Sequence, residues 1–481
     1  MGDALMRGQG LEAIDATVTH EVGVLDTLPT GSDLSERLTD WVPAAASVRD
    51  EKKSRLAADM FNSLAATFVY AIPWLSVFLI ELLRPETLRL PGHAAAPLSL
   101  ALMFSLVASG GFIQAISRCG QFYVEMRQPA LAAWICGYLF RLGSALAVTL
   151  AIVGVAVGWY FHLASWPYLA LTADEFVVLT VLWMSWGVIS VRRERWRVPI
   201  TFAAGVAAFV ACRLVAQDAL IAQLAASAIV LAASLGQVPS VFALPKNEEP
   251  VAVPLPRVSV RLYRALPFFW YGSLYFCFLF ADRFVASASG PAPIAPFSMA
   301  TDYTLGMDIA LLTFLFAAAS VEFANLHWSH LLRRSIQQEY TGDPAALRLT
   351  CRRIHRRTLA VVIGGFSAIA LLMGVGMKLL LPAASDAVWR TAFAGDVGYL
   401  LLAIGLLNGL LLSSLNRPWL TVKIFAFALA ANITVGYVTS YTQRDGVAVV
   451  GLIAGAAWLA VHSMAAVRAT IRRADHAIAA A

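Results

Sequence analysis

The sequence predicts an all-α polytopic membrane protein with about 12 transmembrane helices in two six-helix lobes. Its residues are 59% hydrophobic and only 14% charged, whereas soluble domains carry about 25% charged residues. Apolar stretches recur from near residue 60 to the end of the chain. Each has about the 20 residues that a helix needs to cross about 30 Å of hydrocarbon. A transmembrane β-barrel would instead show strands of about ten residues with alternating polarity.

Residues 1–55 differ in kind from the rest of the chain. They are polar and mildly acidic, and they contain no central apolar run of the kind found in secretory signal peptides. We therefore expect a cytoplasmic N-terminal extension. It is either loosely structured or a docking segment for a cytoplasmic partner.

Hydropathy places the predicted spans along the remaining chain. They cover residues 60–83, 96–117, 131–161, 168–190, 198–216, 219–242, 265–288, 304–326, 358–381, 391–415, 418–440 and 446–467. The division between the fifth and sixth spans is the least sharp, because only Ala216–Asp218 separates two alanine-rich segments.

The distribution of lysine and arginine predicts the orientation of the spans. Most of them fall in every second loop, for example in RRERWR (192–197) and RRIHRR (352–357). The loops on the opposite side contain Arg84, Arg89, Arg390 and Arg444. Since short cytoplasmic loops are enriched in these residues, we expect both termini on the cytoplasmic side of a bacterial inner membrane. The net charge of +6 then reflects topology and contact with anionic lipids, and nucleic acid is not an expected partner.

A segment rich in proline and charge divides the spans into two groups of six. The predicted organisation is an N-terminal extension (1–55), a first lobe (56–242), a cytoplasmic linker (243–264), a second lobe (265–468) and a cytoplasmic tail (469–481). Two groups with an even number of spans imply parallel repeats about an axis along the membrane normal, as in many transporters.

The chain shows no motif of a catalytic site. It contains neither a GxxxxGK[ST] segment nor an HExxH motif, and the loops on the extracytoplasmic side are too short to shape a catalytic domain. The longest loop, residues 327–357, is basic and begins with the pattern of an amphipathic surface helix. It is either a membrane anchor or a docking surface. The five cysteines lack CxxC spacing, which indicates buried apolar residues. We expect no enzyme activity, no cofactor and no metal.

Polar side chains inside the spans are the candidate functional residues, because ionisable groups at membrane depth usually face a bundle interior or a wet cavity. The substrate-pathway candidates are Arg141, Tyr271, Tyr275, Asp282, Arg283, Asp308, Asn408 and Asn432. Pairing of Arg283 with Asp282 or Asp308 would lower the cost of burying these charges. A purely structural network between helices is the alternative role for the same side chains.

Helical spacing brings part of this set onto one face. Tyr271, Tyr275, Phe278 and Asp282 follow each other at intervals of four, three and four residues, so they share one face of the seventh span. Aromatic rings beside a carboxylate suit contact with sugars, but such stripes also serve helix packing. In the first span, Pro73 removes a backbone hydrogen bond and bends the helix, which makes it a candidate gating element.

Four segments carry a resemblance to a known family. They are IPWLSVFLI (72–80), FSLVASGGFIQAISRCGQFYVEM (104–126), YGSLYFCFLFADRF (271–284) and VEFANLHWSHLLRR (321–334). In this order they resemble the Pel exopolysaccharide transporter (PelG) family of the multidrug/oligosaccharidyl-lipid/polysaccharide (MOP) flippase superfamily. The resemblance implies a MOP-flippase-like fold that works with a cytoplasmic glycosyltransferase and other inner-membrane synthase subunits. It supplies no catalytic residues.

The sequence therefore predicts a transporter for an exopolysaccharide or its lipid-linked precursor. In this interpretation Arg141 and the seventh and eighth spans line a central cavity, and membrane lipids are expected partners of the protein. Two alternatives stay open. One is a MOP-type drug or lipid exporter that needs no synthase partner, and the other is a non-transporting scaffold of a polysaccharide synthase complex.

Overall fold

The computed structural model describes residues 92–126, 128–192, 197–216, 219–241, 257–288, 301–338, 344–415, 417–442 and 447–473. The N-terminal extension, the predicted span 60–83 and the gating candidate Pro73 lie outside these residues. In the described ranges the chain forms eleven α-helices and one short 3₁₀ turn, and no strand.

The helices follow one another with short connections. They are α1 (Gly92–Glu125), α2 (Pro129–Tyr160), α3 (Trp166–Ile189), α4 (Arg197–Ala216), α5 (Ala219–Val241), α6 (Val258–Ala288), α7 (Thr301–Gln338), α8 (Pro344–Leu380), α9 (Asp386–Ser414), α10 (Pro418–Thr442) and α11 (Val449–Ile471). Ten of them are long and apolar enough to cross a membrane, and the exception is α4, whose apolar part covers only Ala203–Val215. The predicted all-α polytopic fold is confirmed.

Several helices extend beyond the predicted spans. Helix α6 begins at Val258, inside the predicted linker 243–264, and α8 begins at Pro344, inside the predicted loop 327–357. The reason is that hydropathy detects only the apolar part of a helix, whereas the backbone hydrogen bonds continue through polar turns at the membrane surface. The domain bounds themselves stay a prediction.

Helices α1–α5 pack mainly among themselves. Helix α3 lies against α1, α2 and α5, while α4 lies mainly against α5. Two buried indoles of α3 join this group by hydrogen bonds. Trp183 donates to Ser105 of α1 and Trp186 donates to Ser234 of α5, each over 3.1 Å. Because a buried indole N–H needs an acceptor, these serines fix the positions of α1 and α5 around α3.

Helices α6–α11 form a second group around α9. Helix α9 packs closely against α7 and α11, and α10 packs against α6 and α11. Gly398 and Gly405 of α9 face Leu452 and Leu459 of α11. Small residues let membrane helices approach closely and so gain van der Waals contact. Close packing of the second group therefore depends on this alternation of small and large side chains.

The two groups meet chiefly where α1 lies against α6, a contact that we name the α1–α6 seam. A Cβ atom placed on Gly272 of α6 would overlap the carbonyl oxygen of Gly110 of α1. The two backbones therefore touch at this level.

Phenylalanine pairs lie on either side of the glycine contact. Phe112 packs edge-on against Phe269 with ring centroids 5.0 Å apart, and Phe104 lies 5.3 Å from Phe284. Since α1 and α6 run in opposite directions, these pairs extend the seam along both helices.

The most exposed helices carry large apolar side chains outward. In the most apolar parts of α2 and α8, only 17% and 11% of the residues are buried. Exposed side chains on these helices include Ile152, Val153, Leu371 and Leu372. Faces of this length and composition match contact with lipid rather than water, as in a multi-pass membrane protein.

Candidate functional site in the second helix group

A buried ion pair joins α6 to α7. Nη1 of Arg283 lies 2.6 Å from Oδ1 of Asp308. The arginine side chain is 2% exposed, but the aspartate side chain is 23% exposed. Asp308 is thus one of the two partners expected for Arg283 from the sequence. One partner of the pair is thus buried inside the helix bundle, and the other is partly exposed.

The neighbouring acid, Asp282, points elsewhere. Consecutive helical residues project about 100° apart, and Asp282 takes a hydrogen-bond partner other than Asp308. Tyr303 of α7 donates a hydrogen bond of 2.9 Å to Oδ2 of Asp282. The aspartate is fully buried, and its Oδ1 has no hydrogen-bond partner among the described residues.

Tyr399 of α9 completes this group. It is fully buried, stacks on Phe314 with centroids 5.2 Å apart, and lies beside Arg283. We name Asp282, Arg283, Tyr303, Asp308 and Tyr399 the ionic cluster. Its long side chains bridge α6 and α7, whose backbones do not pack side by side. The sequence identified the three charged members and missed both tyrosines.

The aromatic face of α6 lies in the helix core. Tyr271 is buried and meets Phe425 of α10 edge-on, with centroids 5.4 Å apart, and Phe278 packs on the same ring. Tyr275 is half-buried, and its ring lies edge-on to Phe276 at 4.7 Å. In this conformation the stripe serves helix packing. Its contact with a sugar stays a prediction.

The two asparagine candidates connect helices. Asn432 of α10 donates to the carbonyl oxygen of Phe278 over 3.3 Å. Asn408 of α9 donates to Ser463 of α11 over 3.2 Å, and its Oδ1 lies 2.9 Å from Nε2 of His355 in α8. Both asparagines are fully buried, so they act here as hydrogen-bonded links between helices; a place in a substrate pathway stays a prediction.

The position of His355 corrects the sequence analysis, in which this residue falls in the predicted loop 327–357. It lies inside α8 and is 5% exposed. Hydropathy started the span only at residue 358, because arginines flank the histidine. Ser463 was missed as well, since a single serine in an apolar helix gives no signal by itself.

Arg141 lies apart from the ionic cluster. Its side chain is exposed on α2, and Nε donates a hydrogen bond of 3.2 Å to the carbonyl oxygen of Gly137, one turn earlier. The side chain therefore points toward the N-terminal end of α2, which the sequence predicts to be cytoplasmic. A long cationic side chain in this geometry reaches toward the headgroup layer. A role in lining a cavity stays a prediction for Arg141.

A second buried acid lies in the first helix group. Glu175 of α3 is 1% exposed, and the Ser227 hydroxyl of α5 lies 3.1 and 3.2 Å from its two carboxyl oxygens. A hydroxyl has one proton and satisfies one of these oxygens at a time. Gln223 donates to the same hydroxyl over 3.4 Å. Across the described ranges, no group of three or more His, Cys, Asp or Glu residues is placed to hold a metal ion.

Comparisons with known proteins agree on the fold. No protein-family model and no curated protein sequence matches the chain. Among solved structures, the Vibrio cholerae MATE transporter VcmN in its bent form matches at 14% identity, over 88% of this chain and 99% of that chain, with a TM-score of 0.59.

Two conformations of a multidrug resistance MATE family transporter of the MOP superfamily also match, both at 12% identity. The outward-facing conformation covers 87% of this chain and 95% of that chain with a TM-score of 0.59. The inward-facing conformation covers 86% and 95% with a TM-score of 0.53. At these identities the likeness concerns the fold alone. The chain thus has a MATE-like fold, which agrees with the MOP-flippase-like architecture that its sequence predicts.

Proposed function

We propose that the chain is a MOP-type membrane transporter that moves an exopolysaccharide, or its lipid-linked precursor, across the inner membrane. It would receive this substrate from a cytoplasmic glycosyltransferase and other synthase subunits in the same membrane. Support for transport comes from the MATE-like fold and from the ten helices that are long and apolar enough to cross a membrane.

The ion pair between Arg283 and Asp308 is the observation that carries the proposal. Both residues lie within long apolar helices, where charges are costly and usually face a water-filled path. Because Asp308 is partly exposed, its side chain would line such a path. Burial of both partners away from water would add the desolvation cost of the second charge and would leave neither charge within reach of a substrate.

The polysaccharide assignment rests on the sequence resemblance. Three of the four resembling segments fall in α1, α6 and α7. These helices contain both sides of the α1–α6 seam and both partners of the ion pair. The segments that resemble the exopolysaccharide transporters are therefore the ones from which the candidate pathway is built.

Complementation of a gene deletion tests the proposal. We expect loss of secreted polymer in the deletion strain, and recovery with the wild-type gene. Arg283→Gln and Asp308→Asn should each reduce secreted carbohydrate about tenfold at an unchanged protein level in the membrane, as expected for groups that act at a transport site. Asp174→Asn changes an exposed acid of α3 and serves as the matched control. Normal secretion by the deletion strain would disprove the proposal.

Drug export is the second candidate, favoured by the structural likeness to a multidrug resistance MATE family transporter in two conformations. It predicts a raised inhibitory concentration of cationic dyes such as ethidium in a host without synthase genes. A non-transporting scaffold predicts a different pattern. In that case the Arg283 and Asp308 variants would secrete polymer normally, while removal of residues 1–55 would abolish secretion.

A further inference from the structure

A second buried arginine lies in the first turn of α6, far from the ionic cluster. Arg261 is 5% exposed, and its Cζ lies 3.5 Å from the centre of the Trp134 ring of α2. Trp134 also stacks on Tyr138, with ring centroids 5.3 Å apart and planes 6° apart. The guanidinium therefore packs on an aromatic pair of α2 and joins α2 to α6.

This packing leaves hydrogen-bond donors of Arg261 without an acceptor. A guanidinium has five N–H donors that lie in its own plane, so a ring beneath that plane cannot accept them. Nε and Nη1 are both buried and have no hydrogen-bond partner among the described residues. Buried charged donors are costly when they stay unpaired. Arg261 is therefore a cation placed over an aromatic ring, with two buried donors that lack an acceptor in the described part of the chain.

The surroundings of Arg261 are also basic. Arg257 and Arg264 lie four residues before it and three residues after it, so the three arginines share one face at the start of α6. Both flanking arginines are exposed, and Cζ of Arg264 lies 5.7 Å from the Phe122 ring of α1. The N-terminal end of α6 adds the positive end of the helix dipole at the same place.

We propose that Arg261, assisted by Arg257 and Arg264, binds a phosphate group of a membrane lipid at this end of α6. The planar fork of a guanidinium matches two oxygens of one phosphate. Tryptophan and tyrosine are enriched at the headgroup layer of membranes, so Trp134 and Tyr138 suit a site at that depth. The lysine and arginine pattern predicts that this end of α6 faces the cytoplasm, where the leaflet is rich in anionic lipids.

Two lipids present the same phosphate chemistry. One is an anionic phospholipid, and the other is the pyrophosphate of a lipid-linked sugar. The site does not depend on the proposed transport function, because lipid binding is measured without transport. Failure of one proposal is therefore distinguishable from failure of the other.

Native mass spectrometry of the full-length, detergent-purified protein tests the site. The probes are dioleoyl phosphatidylglycerol, farnesyl pyrophosphate and inorganic pyrophosphate, with dioleoyl phosphatidylcholine as the zwitterionic comparison. We expect at least one anionic lipid to bind about tenfold more tightly than phosphatidylcholine. The tighter of the two anionic lipids identifies the source of the phosphate. Inorganic pyrophosphate that binds as tightly as farnesyl pyrophosphate would overturn the assignment to a lipid.

Single-residue variants distinguish lipid binding at Arg261 from a general effect of surface charge. Arg261→Gln should weaken binding of the preferred lipid about tenfold, and Arg261→Lys should cause a smaller loss because it keeps the charge without the fork. Arg353→Gln removes an exposed arginine near the start of α8 and should change binding less than about twofold. If Arg261→Gln is not recovered as folded protein, the lysine variant decides the test. Unchanged binding in the Arg261 variants, or an equal loss in Arg353→Gln, contradicts the proposal.

Discussion

Tyr303 donates a hydrogen bond of 2.9 Å to Asp282, whereas the arginine that follows this acid in the chain has a different carboxylate partner. Arg283 instead pairs with Asp308, five residues after Tyr303 on the same helix. Two adjacent residues of α6 are thus held by two separate residues of α7. The two polar contacts thus join helices whose backbones do not pack side by side.

Removal of Asp308 alone should destabilise the protein more than removal of both partners of the ion pair. Asp308→Leu removes the carboxylate that pairs with a buried arginine, which cannot give up its proton, and we expect a loss of about 3 kcal/mol in the free energy of unfolding. Arg283→Leu should cost less, about 1 kcal/mol, because the remaining acid is partly exposed and can take up a proton. Unfolding by SDS titration in mixed micelles measures these changes.

The double variant Arg283→Leu/Asp308→Leu tests the same physical reason. It should be more stable than Asp308→Leu alone, because the arginine that Asp308 neutralises is removed together with it. Asp174→Asn on the exposed face of α3 is the reference for a change of charge without burial. If the losses of the two single variants simply add in the double variant, the two side chains do not stabilise each other.

The α1–α6 seam should not tolerate a methyl group at its centre. Gly272→Ala would bring a Cβ against the carbonyl oxygen of Gly110 and 2.7 Å from Cγ of Gln114. The helices would have to separate, which we expect to cost about 2 kcal/mol of stability. Gly137→Ala is the matched control, because open space surrounds that glycine. There alanine should stabilise the helix by up to about 1 kcal/mol. Equal melting temperatures for both variants would rule out tight packing at the seam.

The link through Asn408 should stabilise the packing of α8, α9 and α11. Asn408→Leu removes the hydrogen-bond partner of the buried His355 ring, and the expected loss is about 1–3 kcal/mol. Replacing the histidine as well, by His355→Phe, should recover part of this loss because no polar ring is then left unpaired. Ser413→Ala, which removes only a bond to its own helix, should cost less than about 0.5 kcal/mol. A thermal melt that does not distinguish Asn408→Leu from Ser413→Ala would argue against the link.

Glu175 should accept a neutral replacement. Glu175→Gln keeps an acceptor for the Ser227 hydroxyl and removes a carboxyl group from an apolar site, so stability should stay within about 0.5 kcal/mol of the wild type or rise. Glu175→Ala loses the hydrogen bond and leaves a cavity, at a cost of about 2 kcal/mol. The two variants are compared by SDS titration. A larger loss for glutamine than for alanine would mean that the charge itself stabilises the fold.

The sequence was sufficient for the fold class because membrane spans depend on length and apolar composition, both of which are local properties. It also singled out Asp282, Arg283 and Asp308, since charges within apolar segments stand out by themselves. The contacts between these three side chains were not predictable from the sequence in the same way. Whether Arg283 pairs with its neighbour or with α7 depends on side-chain directions that only the packed helices fix.

Residues without an unusual local context were missed. Tyr303 and Tyr399 are ordinary members of apolar helices, and their role comes only from carboxylate or guanidinium groups on other helices. Tyr271 shows a limit of helical spacing. Its spacing places it on one face with Asp282, but spacing does not state that Phe425 packs against its ring.

The glycine contact between Gly110 and Gly272 lies between the phenylalanine pair Phe104–Phe284 and the Arg264–Phe122 contact. The two backbones touch at this level, and side chains separate them above and below it along the helices. Such a contact is a pivot point. A rigid tilt of α1 against α6 about this point would open the helix ends at one membrane face and close them at the other. The axis of such a tilt would lie at Gly110 and Gly272, because neither residue has a β-carbon to keep the two backbones apart.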